Sequence, residues 1–173
     1  MASYTITPMS GSVEPFPGDV ITFAVFGQAD QNQIGNNSGI GALNLSIDIA
    51  GGTLDDGSIA PSSQAFGPVN IGTDAGGFDI SMQSNSFAGD NFDAGVALFT
   101  FDVAAGLGPT LSVSVDQGTI SGVNAAVGIP GPFGQSTDYD VVNFDTVSFN
   151  VVPTPGAAAV LGLGALAATR RRR

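Results

Sequence analysis

Residues 95–116 read GVALFTFDVAAGLGPTLSVSVD. In the first half Phe99, Phe101 and Val103 alternate with Thr100 and Asp102. In the second, Leu111, Val113 and Val115 alternate with Ser112, Ser114 and Asp116. Between them stands Gly106-Leu107-Gly108-Pro109, where Gly admits positive φ and Pro presets a turn. A side-chain period of two belongs to a strand. Each run therefore carries an apolar row on one face and a polar row on the other, which predicts half-buried antiparallel strands.

The same pattern recurs outward from this stretch. Leu43, Leu45, Ile47 and Ile49 alternate with Asn44, Ser46 and Asp48, and Val147, Phe149 and Val151 alternate with Ser148 and Asn150. Val20 to Phe26 is apolar on nearly both faces and predicts a central strand. Weaker strand signals lie at Tyr4 to Thr7, Ala65 to Ile71, Phe78 to Met82 and Tyr139 to Phe144. Turn signals separate them at Pro17-Gly18-Asp19, Gly51-Gly52, Asp55-Asp56-Gly57, Gly76-Gly77, Gly89-Asp90-Asn91 and Pro130-Gly131-Pro132. Gln28 to Gly41 reads as a polar linker loop rich in Asn, Gln and Gly. No apolar stripe of helical period stands before residue 155. The predicted fold is all-β: an antiparallel, jelly-roll-like β-sandwich of about nine strands over 1–152, followed by a short C-terminal hydrophobic helix within 153–173. Most of the twelve Phe are assigned to its core.

Composition narrows the chemistry. The 173 residues suffice for one domain with a sizeable core. They include no Cys, His, Trp or Lys, and the four basic residues are Arg170, Arg171, Arg172 and Arg173. All 15 acids lie between Glu14 and Asp145. A Ser-His-Asp triad, a Cys nucleophile, an ordinary zinc site, a Schiff base and a Walker phosphate loop are thereby excluded. Nucleic-acid binding by charge is excluded for the body, because such affinity rests on Lys and Arg neutralising phosphates. Glu14 is the one Glu and precedes Pro15 in a turn, which is poor equipment for a glycosidase pair. The chain reads as non-enzymatic.

Two kinds of candidate site remain in the body. Calcium takes six to eight oxygen ligands, and Asp-bearing loops supply them. Asp90 and Asp93 flank Asn91 in a Gly-bounded loop, while Asp138 and Asp140 stand two apart. These four are the candidate calcium ligands, against the plainer reading of solvated turn residues. Sugar binding calls for aromatic platforms, and the amphipathic aromatics are Tyr4 and Tyr139. Asn36-Asn37-Ser38 and Asn44-Leu45-Ser46 match the glycosylation pattern, a short motif frequent by chance.

The body resembles the cohesin-like sandwiches. The residues that carry this are Val13 to Phe26 (VEPFPGDVITFAVF), Ile40 to Ile49 (IGALNLSIDI) and Gly95 to Val103 (GVALFTFDV). A PGD turn leads the first long strand, an alternating strand with an acid follows, and a Gly-led LFTF-type strand comes later. The resemblance implies a nine-stranded jelly roll used for binding or scaffolding, and it transfers no binding residues.

Residues 153–173 read PTPGAAAVLGLGALAATRRRR. A Pro-rich break is followed by an uncharged run of Ala, Val, Leu and Gly, then by Arg170 to Arg173. The run is apolar all round rather than amphipathic. A helix over 156–169 spans roughly 20 Å at ~1.5 Å per residue, short of the ~30 Å hydrocarbon core. Snorkelling Arg side chains offset part of that shortfall, and the Arg cluster stays cytoplasmic by the positive-inside rule. A packed terminal helix is the alternative.

This tail resembles the PEP-CTERM sorting signal. The match is Val152-Pro153-Thr154-Pro155, then the apolar run, then Arg170 to Arg173, with Thr154 where the name-giving motif has Glu. The resemblance implies recognition by an exosortase-type membrane protease near the Pro motif. It implies passage through the inner membrane and a destination at the cell surface or extracellular matrix. The expected role there is structural or adhesive, with extracellular polysaccharide or self-association as partners, and a carbohydrate- or protein-binding cohesin-like module is the alternative. Met1 to Ile6 carries neither a basic nor an apolar signal region, so a truncated or restarted chain is the expectation.

Overall fold

The computed structural model describes residues 1–29, 40–62, 69–74, 76–83, 95–118, 126–128 and 142–154. These residues form eleven strands: β1 (Ala2–Ser10), β2 (Val20–Ala29), β3 (Ile40–Ala50), β4 (Gly52–Pro61), β5 (Val69–Asp74), β6 (Gly77–Gln83), β7 (Val96–Ala105), β8 (Thr110–Gln117), β9 (Ala126–Gly128), β10 (Val142–Asn143) and β11 (Thr146–Asn150). They build two sheets. Sheet A runs β10-β1-β2-β7-β4, and sheet B runs β11-β8-β3-β6-β5 with β9 beside β3. The central strand expected at Val20 to Phe26 is the middle strand of sheet A.

The apolar rows meet between the sheets. Phe23, Phe99 and Phe101 of sheet A face Phe78 and Phe149 of sheet B. Phe78 and Phe101 pack edge to face with centroids 5.1 Å apart, and Phe23 and Phe149 do so at 5.9 Å. Such geometry sets the positive ring edge against the negative face. Of the eight Phe among the described residues five are buried, whereas Phe16 is exposed.

Three features depart from the expected pattern. First, β4 occupies a stretch read from sequence as turns. Asp55-Asp56-Gly57 forms a bulge within the strand, where pairing with β7 breaks after Asp55 and resumes at Ala60. The Ser58 hydroxyl bridges the gap, donating to Asp55 O at 2.6 Å and accepting from Asp102 N at 2.7 Å. Secondly, β4 and the short β9 raise the number above nine, and β10, within the stretch expected as a strand at Tyr139 to Phe144, runs parallel to β1 in an otherwise antiparallel sandwich. Thirdly, Asn44 is fully buried although it stands in a polar row. Its Nδ2 donates to Gly118 O at 3.1 Å, and Gly118 N donates back to Asn44 O at 3.0 Å. A glycan at Asn44 is sterically excluded.

The last part of the body closes the sandwich. The chain pairs with β1 through β10, steps across at Phe144 and Asp145, and pairs with β8 through β11. Asp145 holds the step: Oδ2 accepts from Ile6 N at 3.2 Å, Oδ1 from Thr146 N at 2.8 Å, and its carbonyl from Val115 N at 3.0 Å. One residue thus ties both sheets. Beyond β11, Val151 N donates to Pro109 O and Val152 N to Pro15 O. Pro153 and Thr154 are exposed. Among the described residues no helix is long and apolar enough to cross a membrane. The hydrophobic helix expected after Pro155 lies outside them.

Candidate functional site: the outer face of sheet B

Period two sends one row of each strand outward, and on sheet B that row is made of small polar residues. Register aligns them across the sheet. Asp48 of β3 stands opposite Ser114 of β8, which stands opposite Thr146 of β11. In the next row Ser46 of β3 lies between Asp79 of β6 and Asp116 of β8. At the other end Ser112 pairs with Ser148, their hydroxyls 3.0 Å apart. Ser81 and Asp79 are half-buried, and Asp48 and Asp116 are exposed. Apart from the enclosed Asn44, these positions present hydroxyls and carboxylates on short side chains. Short side chains of this kind leave the backbone near the surface.

Sheet A differs outward. Its rows hold Thr5, Thr7, Thr22, Thr100 and the enclosed Ala24, and its acids stand together at one edge, Asp102 of β7 opposite Asp55 of β4. Sheet B's outer face carries three carboxylates, Asp48, Asp79 and Asp116. Among the described residues no group of three or more acids is placed to hold a metal ion. The face suits a partner bearing donors or positive charge, with salt-sensitive association.

A cleft of about 240 Å³ lies near one end of the sandwich, lined by Ile49, Gly52, Thr53, Leu54, Asp56, Gly76 and Gly77. Of these residues Asp56 brings a carboxylate and Thr53 a hydroxyl.

The sequence candidates fare unequally. Asp90, Asp93, Asp138 and Asp140 lie outside the described residues, as do Pro155, Arg170, Arg171, Arg172, Arg173 and Tyr139. Val152, Pro153 and Thr154 are described and sit at the exit from the body. Tyr4 is enclosed and stacks on Phe144 at 6.1 Å, so it offers no platform to a sugar. The sheet B face was legible as alternation in β3, β8 and β11. What the sequence lacked was the pairing that puts those rows side by side.

No protein-family model matches the chain. No curated protein matches it either. Solved structures do. A cohesin module from a Clostridium perfringens family 33 glycoside hydrolase superposes with a TM-score of 0.60 at 9% identity, over 88% of this chain and 97% of that one. A non-cellulosomal cohesin from the hyperthermophilic archaeon Archaeoglobus fulgidus gives 0.52 at 16% identity, over 91% and 96%. The third ScaC cohesin of Acetivibrio cellulolyticus, solved in complex with the ScaB dockerin, gives 0.52 at 13% identity, over 88% and 99%. With two sheets of this strand order around one apolar interior, the body has the fold of the cohesin modules.

Proposed function

We propose that this chain is a non-catalytic, protein-binding module of the cohesin type, which receives its partner on the outer face of sheet B. The carrying observation is the likeness of the whole sandwich to cohesin modules, one of them solved with a dockerin bound. The Ser/Asp face supports that reading, since a surface of short polar side chains admits a docked backbone without displacing bulk. The test is capture from the extracellular fraction of the native host with immobilised full-length protein. Ser46→Arg combined with Ser114→Arg places bulk and positive charge on the sheet B face, and Thr5→Arg serves as the control on sheet A. The expected result is one saturable protein partner, weakened at least about tenfold by the sheet B pair and retained by the control. Equal capture by all three proteins, or binding of polysaccharide alone, defeats the proposal.

A second element concerns destination. We propose that residues 1–152 form the module and that 153–173 form a PEP-CTERM-like sorting segment. In this reading the apolar run enters the inner membrane and an exosortase-type protease acts near Val152, Pro153, Thr154 and Pro155. The module then resides at the cell surface or in the extracellular matrix. The favouring observation is the exit itself: Val152 N is tied to Pro15 O at 2.8 Å, and the next two residues are exposed. Intact mass of the protein from envelope and medium tests this. Loss of the Arg cluster with a new terminus near Pro153 is expected, and a full-length chain confined to the cytosol is the overturning result. Calcium at the Asp90/Asp93 and Asp138/Asp140 loops is a subsidiary proposal. It predicts a rise in Tm with calcium beyond that given by sodium chloride of equal ionic strength.

A further inference from the structure

One end of the sandwich bears exposed apolar side chains and few of the body's acids. Backbone hydrogen bonds gather four segments there. Gly18 N donates to Ala105 O, Gly106 N to Gly51 O, Val151 N to Pro109 O and Val152 N to Pro15 O. The segments 11–19, 51–52, 106–109 and 151–154 contain two of the 15 acids, Glu14 and Asp19, and the β5–β6 turn, tied to this end by Ile49 N donating to Gly76 O, adds Asp74. Asp19 is occupied locally, its carboxylate accepting from Phe16 N at 2.9 Å.

Among the described residues the exposed large apolar side chains are Met1, Met9, Val13, Phe16, Val20, Ile71 and Leu107. All but Met1 and Ile71 belong to this end. Leu107 is 94% exposed at the tip of the β7–β8 turn, and Val13 is 77% exposed in the β1–β2 connection. Met9 is turned out where the β1–β2 register slips between Pro8 and Ser10. A single exposed apolar residue means little, but five at one end of an acidic body form a patch that fits an apolar occupant.

The chain leaves the body at this same end. From Val152, held on Pro15, the apolar stretch that starts at Gly156 is four residues away. Four extended residues reach at most ~14 Å. If that stretch enters a bilayer, the patch is held within reach of the headgroup layer, which is roughly 5–8 Å deep on each side. Charge selects the same orientation, since an acidic body is repelled by anionic lipid and approaches best by its least charged end.

We infer that this end of the sandwich is a lipid-facing surface, with Val13, Phe16 and Leu107 seated in the interfacial layer beside the tail. The inference rests on the membrane reading of residues 153–173. The occupant is the headgroup and upper acyl region of a bilayer, and the module stands end-on with its sheet B face held away from the membrane plane.

The chain contains no Cys, so single labelling sites are clean. Full-length protein carrying Leu107→Cys, Val13→Cys or, as a control on β5, Ile71→Cys is labelled with a polarity-sensitive fluorophore. Each is mixed with vesicles of phosphatidylethanolamine and phosphatidylglycerol, some containing a lipid-borne quencher. Flotation reports the tail, and fluorescence reports the end of the body. Expected are co-flotation, blue-shifted and lipid-quenched emission at positions 107 and 13, and unchanged emission at 71. In parallel, Phe16→Ser with Leu107→Ser lowers vesicle partition about tenfold while far-UV dichroism stays unchanged. Flotation without a shift at 107 and 13 overturns the inference and leaves the tail reading standing. Absence of flotation defeats both. Emission already blue-shifted without vesicles shows that the chain's own tail or a second copy covers the patch, and also overturns it.

Discussion

At the scale of single residues, the tightest constraints are points where chain meets chain. Gly51 has φ +76°, and a Cβ there would fall on the Thr110 carbonyl oxygen. Both the left-handed backbone and the close approach exclude a side chain. Gly51→Ala is expected to cost about 2–4 kcal/mol, read as a lowered urea midpoint at unchanged slope. A variant as stable as the parent would show that the β3–β4 corner has room to move. Asp145 is constrained chemically, because its carboxylate serves two backbone donors on different segments. Asp145→Ala leaves both donors without this acceptor and is expected to cost about 2 kcal/mol, with Asp145→Asn costing less since one acceptor oxygen remains. Equal losses in the two variants would mean that charge, rather than hydrogen bonding, is what the step between the sheets requires.

At the scale of elements, β4 teaches most. Its Asp-Asp-Gly triplet has the composition of a turn, yet pairing on either side holds the segment in sheet A. The bulge is workable because one hydroxyl serves the backbone group that the missing ladder bond would leave open. Ser58→Ala removes that hydroxyl from Asp102 N and is expected to cost about 1–2 kcal/mol. It should also speed hydrogen exchange at the Asp102 amide more than elsewhere on β7. Uniform acceleration along β7 would instead indicate loss of the whole edge. The bulge also ends the regular pairing surface of β4, an edge strand, which discourages sheet-to-sheet aggregation.

At the scale of the molecule, the body carries 15 acids and no Lys or Arg before Arg170. Its fold stands on apolar burial and backbone pairing against self-repulsion. Raising ionic strength from ~10 mM to ~150 mM shortens the screening length from ~30 Å to ~8 Å. Tm is therefore expected to rise by several degrees over that interval, measured by scanning calorimetry in sodium chloride. A flat or falling Tm would show that the acids are spaced widely enough not to oppose folding. The end from which the tail departs carries few of these acids.

What the sequence determined by itself is whatever follows from local periodicity and composition. The inward Phe99, Phe101, Leu111 and Val113, the turn at Pro17-Gly18-Asp19 and the exclusion of most catalytic chemistry needed no neighbours to be read. The turn forms as expected, with Asp19 N donating to Phe16 O at 3.0 Å and Gly18 at φ +91°. Tertiary structure alone decided the pairings between distant segments. It enclosed Asn44 beneath Gly118, kept Asp55-Asp56-Gly57 within a strand, and laid Asp48, Asp79 and Asp116 on one face. It also gathered Val13, Phe16 and Leu107 at one end. The physical reason is that a side chain's alternation is set by its own backbone, whereas its burial and company are set by hydrogen-bonded partners tens of residues away.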